Sequence, residues 1–437
     1  MGECGILKLT DVCLFMVIEV YKGGYGVESK NEIVLYQSFA GEDTMLTSIA
    51  IILLFGLGMG WFFSKLRLPG LLGMILVGII ISPNALNLID ESILTISGDL
   101  RQIALVIILT RAGLSLDLSE LKKVGRPAIM MCFVPACAEM LGTILLAPAL
   151  LHVSLFEAAL IGSVIAAVSP AVVVPRMIRL MEEGYGRRKG IPQLILAGAS
   201  VDDVFVIVVF TALTTLAATG KVSAVSFAQI PVSIVSGVFL GACLGMLLVQ
   251  FFRKCHMRDS VKILMILSIS FLLLEVQNRL EGYLPVSGLL AIMSMGIVIK
   301  RRYDVLALRL SVKYNKLWLG AEVVLFVLVG ATVDLNYAIS AGALTVLLVI
   351  GALVFRMLGV ALSLVGTELS KKERLFCMVA YTPKATVQAA IGAIPLAMGL
   401  SCGTLVLTVA VLSILITAPF GAIGIDNLHK KLLEKTE

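Results

Sequence analysis

Apolar residues in this chain fall in long unbroken runs separated by short polar stretches. They do not alternate as in a half-buried strand, and they do not form the one-sided stripe of a soluble helix. Runs of roughly 15 to 28 residues recur from residue 45 onward. An α-helix rises about 1.5 Å per residue, so runs of this length match a bilayer core of about 30 Å. The pattern predicts thirteen spans: 45–63, 68–82, 97–115, 127–150, 155–180, 190–219, 228–252, 261–277, 285–299, 317–333, 338–366, 373–398 and 403–423. The second and ninth are short, as segments are that tilt or stop at a water-filled cavity. Residues 1–44 mix an apolar patch, Cys13 to Val20, with Glu, Lys and Gly. That patch is short and lacks a cationic start, so it reads as a leader or tail rather than a signal peptide.

Composition changes the picture by removing the soluble alternative. Hydrophobic residues make up 59% of the 437 and charged residues 15%, against about 45–50% and about 25% in soluble domains. One continuous bundle over 45–425 is therefore expected, with a short basic tail at 426–437. The net charge of +6 does not point to nucleic acid, because the basic residues are sorted by loop. Lys65, Arg67, Lys122, Lys123, Arg187, Arg188, Lys189, Arg301, Arg302, Lys371 and Lys372 fall in alternate loops, while the opposite loops hold Lys221 and Arg279. Lys and Arg favour the cytoplasmic side. The C-terminus is thus expected in the cytoplasm and the start of the first span outside, in a multi-pass protein of the plasma (inner) membrane. The cysteines, among them Cys132, Cys137, Cys243 and Cys377, are scattered without a CxxC pair. They read as small buried residues, and neither a disulfide framework nor a cofactor is expected.

An internal repeat follows from the numbering of the spans. The fifth contains Val168-Ser169-Pro170 and the twelfth Tyr381-Thr382-Pro383, each a hydroxyl residue and then proline at mid-span. Each follows a span with a central ionisable residue, Glu139 and Arg356. Repeat one would be 45–219 and repeat two 261–425, joined by a linker helix at 228–252. Six spans plus one linker invert the second half relative to the first. Inverted repeats with broken helices at the midplane are a secondary-transporter design.

Chemistry concentrates in the ionisable residues of the spans, each of which needs a partner or water. Glu139, Asp202, Asp203, Glu322, Arg356 and Lys384 stand out; Arg101 and Arg111, nearer the ends, are expected to reach the interface, and Glu322 lies near the start of its span. Asp202 and Asp203 are neighbours, so on a helix they point about 100° apart. One is expected to face an ion cavity and the other a basic partner. A structural ion pair explains one of the two but not both. Pro170 and Pro383 each remove a backbone donor, and in lipid the freed carbonyls must line a cavity. Half-helix ends then offer carbonyls and partial charges to a cation, and Lys384 is placed to offset the negative ends. Arg356 remains charged and needs an acidic partner, with Glu139 and Asp202 favoured. His152 and His256 read as surface residues.

At these residues the chain resembles the cation:proton antiporters, most closely their NHA-type sodium/proton branch. The matching stretches are Gly198–Val204, Val168–Pro175, Thr382–Ala390 and Leu109–Leu114, and the resemblance covers roughly 45–425. It implies an all-α NhaA-like fold whose discontinuous helices cross beside Asp203, and a homodimer in which a six-helix core moves as an elevator. It implies that Asp203 binds the proton or a Na+ or Li+ ion, with Asp202, Ser169 and Thr382 at the same site, and that Asp202 acts through Arg356. Arg356 and Ser169 depart from the lysine and the Asp or Asn usual in the family.

The expected function is thus exchange of Na+ or Li+ for protons by alternating access, in a transporter rather than an enzyme. The rival on the same plan is a sodium-coupled symporter of an organic anion. An intramembrane aspartyl protease needs two aspartates facing each other from separate helices, which adjacent residues cannot supply. A passive channel leaves the acidic pair and both helix breaks unexplained.

Overall fold

The apolar runs fold as helices throughout the computed structural model, which describes residues 45–66, 68–83, 85–115, 125–218, 224–280, 286–333 and 335–435. Residues 1–44, expected to be a leader or tail, lie outside the described residues. In chain order the helices are α1 (Met45–Lys65), α2 (Gly70–Ile81), α3 (Glu91–Thr95), α4 (Ser97–Ser115), α5 (Arg126–Met131) and α6 (Val134–Leu151). Next come α7 (Leu155–Ile165), α8 (Pro170–Glu182), α9 (Ile191–Ala218), α10 (Ala224–Lys254), α11 (Asp259–Leu280) and α12 (Gly288–Arg302). The last are α13 (Asp304–Ala331), α14 (Leu335–Ser363), α15 (Lys371–Ala380), α16 (Thr386–Ile391), α17 (Ile394–Ala397) and α18 (Gly403–Leu432). Among the described residues, eight helices or helix pairs are long and apolar enough to cross a membrane. The other expected spans are shorter or carry more charge.

Two of the expected boundaries move. α13 begins at Asp304 rather than near 317, because Leu306, Ala307, Leu310 and Tyr314 form one buried stripe at helical spacing. Arg309 and Lys313 on the outer face hide that stripe from a hydropathy window. Glu322 is therefore in the body of the helix and not near its start. α18 continues to Leu432, past the boundary drawn at 425, with Ile425 and His429 buried. Asp426 on that last stretch pairs with Arg176 at 3.3 Å and Arg179 at 3.4 Å.

The helices sort into two packed groups. α1, α2, α4 and α10–α13 pack on one another, and α5–α9 pack with α14–α18. Without a hydrophobic drive between helices in lipid, close approach depends on small residues. Gly78 and Gly330 serve this between α2 and α13: a Cβ on Gly78 would run into the carbonyl of Val327, and one on Gly330 into that of Ile75. The groups meet where α9 contacts α10 and α12 and where α16 contacts α4 and α13.

The two proline-containing spans are each interrupted. α7 gives way to α8 across Ala166–Ser169, and α15 to α16 across Tyr381–Ala385. Both begin with the same device, a capping box in which a serine and a glutamate three residues on exchange hydrogen bonds with backbone N–H groups. The pairs are Ser154 with Glu157 and Ser370 with Glu373. Lys189, in the turn before α9, donates to Glu373 at 2.8 Å, and this bond holds its ammonium above the usual lysine pKa.

Candidate functional site

The two breaks touch. The N–H of Ser169 donates to the carbonyl of Pro383 at 2.7 Å, so the unwound segments cross at their centres. A Cβ at Gly421 of α18 would come within 2.7 Å of the Pro383 ring and 2.9 Å of the Thr382 hydroxyl. Only glycine lets the second break seat there.

Interrupting a helix leaves its last carbonyls and the next helix's first N–H groups unsatisfied. Side chains from three elements meet this need. Arg356 on α14 donates Nε to the carbonyl of Tyr381 at 2.7 Å, and Nη1 to the carbonyl of Ala166. One guanidinium thus closes the negative ends of both α7 and α15. Gln388 on α16 donates Nε2 to the carbonyl of Ala167 at 2.8 Å and accepts from the N–H of Ala385 at 2.9 Å. Thr417 accepts from the N–H of Lys384 at 3.0 Å.

The ionisable residues form one buried cluster. Arg356 Nη2 lies 2.9 Å from Asp202 Oδ2 and Nη1 lies 2.9 Å from Glu139 Oε2. Lys384 Nζ lies 2.7 Å from the same Glu139 oxygen. Asp202 Oδ2 also accepts from the N–H of Val168 at 2.7 Å. Glu139, Asp202, Arg356 and Lys384 are all fully buried. Arg356 therefore pairs with both favoured carboxylates. Lys384, expected to offset the negative helix ends, has its ammonium on Glu139 instead, because the longer, forked guanidinium reaches both carbonyls first. Counted as formal charges, two carboxylates and two cations, the cluster sums to zero.

Asp203 stands apart. It is half-buried, and its Oδ1 is buried without a hydrogen-bond partner. Asp202 Oδ1 and Glu139 Oε1 are likewise unpartnered. Ser169 and Thr382, expected as ion ligands, are buried. Ser169 Oγ lies 3.5 Å from Thr386 Oγ1, and Thr382 Oγ1 donates to the carbonyl of Val379 at 2.8 Å, leaving its lone pairs open. What the arrangement offers is one free carboxylate beside a neutralised one, at the crossing of two breaks whose ends are already capped.

The transmembrane sodium/hydrogen exchanger family model matches residues 49–430. The chain belongs to the sodium/hydrogen exchanger family. It is 35% identical over 386 residues to sodium/hydrogen exchanger 9B2 of Mus musculus, covering 85% of this chain and 69% of that one. With sodium/hydrogen exchanger 9B1 of Homo sapiens it shares 32% identity over 388 residues, 84% of this chain and 73% of that one. Its fold is similar to that of the sodium proton antiporter MjNhaP1 from Methanocaldococcus jannaschii at pH 8, with a TM-score of 0.78 over 90% of this chain and 99% of that one, at 22% identity. This family is one of multi-pass membrane transporters and not of enzymes, and the symporter alternative gains no support from these relatives.

Within this exchanger-family chain one further residue belongs to the site, and a second, ionisable one lies outside it. Gln388 falls inside the stretch Thr382–Ala390, but no charge marks it out; its spacing of three from Ala385 matches a capping position and is the one signal it carries. Arg101, expected to reach the interface, lies near the start of α4, is 7% exposed and donates Nη1 to Thr332 at 3.0 Å.

Proposed function

We propose that the protein exchanges Na+ or Li+ for protons across its membrane, with Asp203 as the carrier. The observation that carries this reading is the contrast within the acidic pair: Asp202 is held by Arg356 and a backbone N–H, while Asp203 has no hydrogen-bond or ion-pair partner among the described residues. A free carboxylate in a site of low dielectric holds a proton or a cation, and not both. Presenting that one group first to one side and then to the other gives exchange.

Asp202 Oδ1, the open lone pairs of Thr382 and the hydroxyl of Ser169 supply further oxygens of the kind a small hard cation takes. Glu139, Arg356 and Lys384 hold the two breaks together around it. Movement of the group α5–α9 and α14–α18 against the other helices supplies alternating access, and the static group forms the homodimer contact. The C-terminus lies in the cytoplasm, on the side of the basic loops.

The test is proton flux in proteoliposomes driven by Na+ or Li+ gradients. Asp203→Asn abolishes it in a protein that remains folded. Exchange at the wild-type rate in that variant would refute the assignment.

A further inference from the structure

A second chemical site lies along α9, away from the acidic pair. A cavity of about 430 Å³ opens between the two groups of helices. Its polar lining includes Arg101 and Gln102 of α4, Thr211 and Thr214 of α9, and Gln277 and Asn278 of α11. Thr211 follows Asp203 by eight residues, about 12 Å along the helix axis, toward the face opposite the basic loops. The volume is that of a small-molecule pocket, about 300–1,000 Å³.

Two observations define what the cavity takes. Arg101 is 7% exposed, and its only hydrogen bond among the described residues goes to Thr332. A guanidinium carries five N–H donors, and no carboxylate of the described residues lies within ion-pair distance of this one; Asp99 lines the cavity without pairing. Thr211 is 5% exposed, and its hydroxyl has no hydrogen-bond partner. A buried cation without a counterion is costly, and so is a buried hydroxyl without a partner. Both groups donate. The walls between them are apolar, with Leu105, Phe210, Leu274, Leu289, Ile394 and Met398.

We infer that this cavity is a binding site for an amphipathic organic monoanion, whose charged head sits between Arg101 and Thr211 and whose apolar body fills the rest. Arg101 belongs to one group of helices and Thr211 to the other, so an occupant bridges the two and resists their relative movement. Binding is independent of the exchange reading; inhibition of exchange rests on it.

2-Naphthalenesulfonate is a suitable probe, because it stays ionised and carries no protons, and its neutral sulfonamide is the control. Thermal stabilisation of the purified protein in detergent reads binding without any transport step. The sulfonate stabilises at concentrations about tenfold below the sulfonamide, as expected for a charge-assisted pair. Arg101→Gln removes that difference and Thr211→Val reduces it. In proteoliposomes the sulfonate slows Na+-driven proton flux in the wild-type protein and loses this effect in Arg101→Gln. Equal stabilisation by sulfonate and sulfonamide, or an unchanged preference in Arg101→Gln, overturns the site and leaves only apolar partitioning. Should Arg101→Gln fail to fold, the preference measured in Thr211→Val decides alone: unchanged, it overturns the site. Sulfonate binding in a protein that shows no exchange would leave this site standing and remove the exchange reading.

Discussion

Asp202 and Asp203 differ by one position and by nearly everything else. The first has both a guanidinium and a backbone N–H on one oxygen; the second has no partner on either oxygen among the described residues. Replacing a member of a buried pair leaves the other charge uncompensated, at a cost of about 3–5 kcal/mol. Asp202→Asn is therefore expected to lower the melting temperature sharply. Asp203→Asn removes a charge that has no partner, so the melting temperature holds or rises while exchange is lost. Scanning fluorimetry on both variants separates the two roles, and equal shifts would contradict the division. Gln388→Ala frees the carbonyl of Ala167 and the N–H of Ala385 inside the protein, where an unsatisfied group costs about 1–3 kcal/mol. A comparable loss of stability is expected, with Gln388→Glu failing to restore it because a carboxylate cannot donate to Ala167. The split of the acidic pair was readable from the sequence, since helical neighbours cannot face one point. The reach of Arg356 to two carbonyls was not: orphaned carbonyls have no side-chain signature, and their positions exist only once both breaks are crossed.

At the level of the helices, the two interruptions are what the hydroxyl-proline pairs at Ser169-Pro170 and Thr382-Pro383 announced, and each lies where its proline is. The capping boxes at Ser154 and Ser370 give both interrupted helices the same start. Pro383→Ala restores a backbone donor and removes the ring packed on Gly421, letting the helix propagate through the break. The expected outcome is a protein of similar stability with exchange reduced by more than about tenfold, read as flux per folded molecule; one undiminished in rate would show the break to be incidental. Hydropathy was least informative where one face of a helix is buried and the other charged. The early start of α13 at Asp304 is such a case, since Arg309 and Lys313 cancel Leu306 and Leu310 in any window average.

For the molecule as a whole, the long apolar runs were enough to place the chain in the membrane as a multi-pass protein. The arrangement of the helices into two packed groups was not legible, because lipid-facing and protein-facing apolar residues look alike in sequence. The neutral cluster of Glu139, Asp202, Arg356 and Lys384 now has a consequence at this scale. In the exchange proposed above, Asp203 alone changes its cargo, one cation against one proton, and the loaded site then carries the same charge in both directions. Each net charge moved would couple to voltage by about 2.3 kcal/mol per 100 mV; an exchange of that kind has no such coupling. Clamping the potential of proteoliposomes between 0 and about −100 mV is expected to leave the point of zero net flux unmoved. An exchanger of this kind copies one ratio onto another: it comes to rest when the sodium ratio across the membrane equals the proton ratio. In such an exchange a difference of one pH unit, about 1.4 kcal/mol, would hold a tenfold sodium gradient whatever the voltage does.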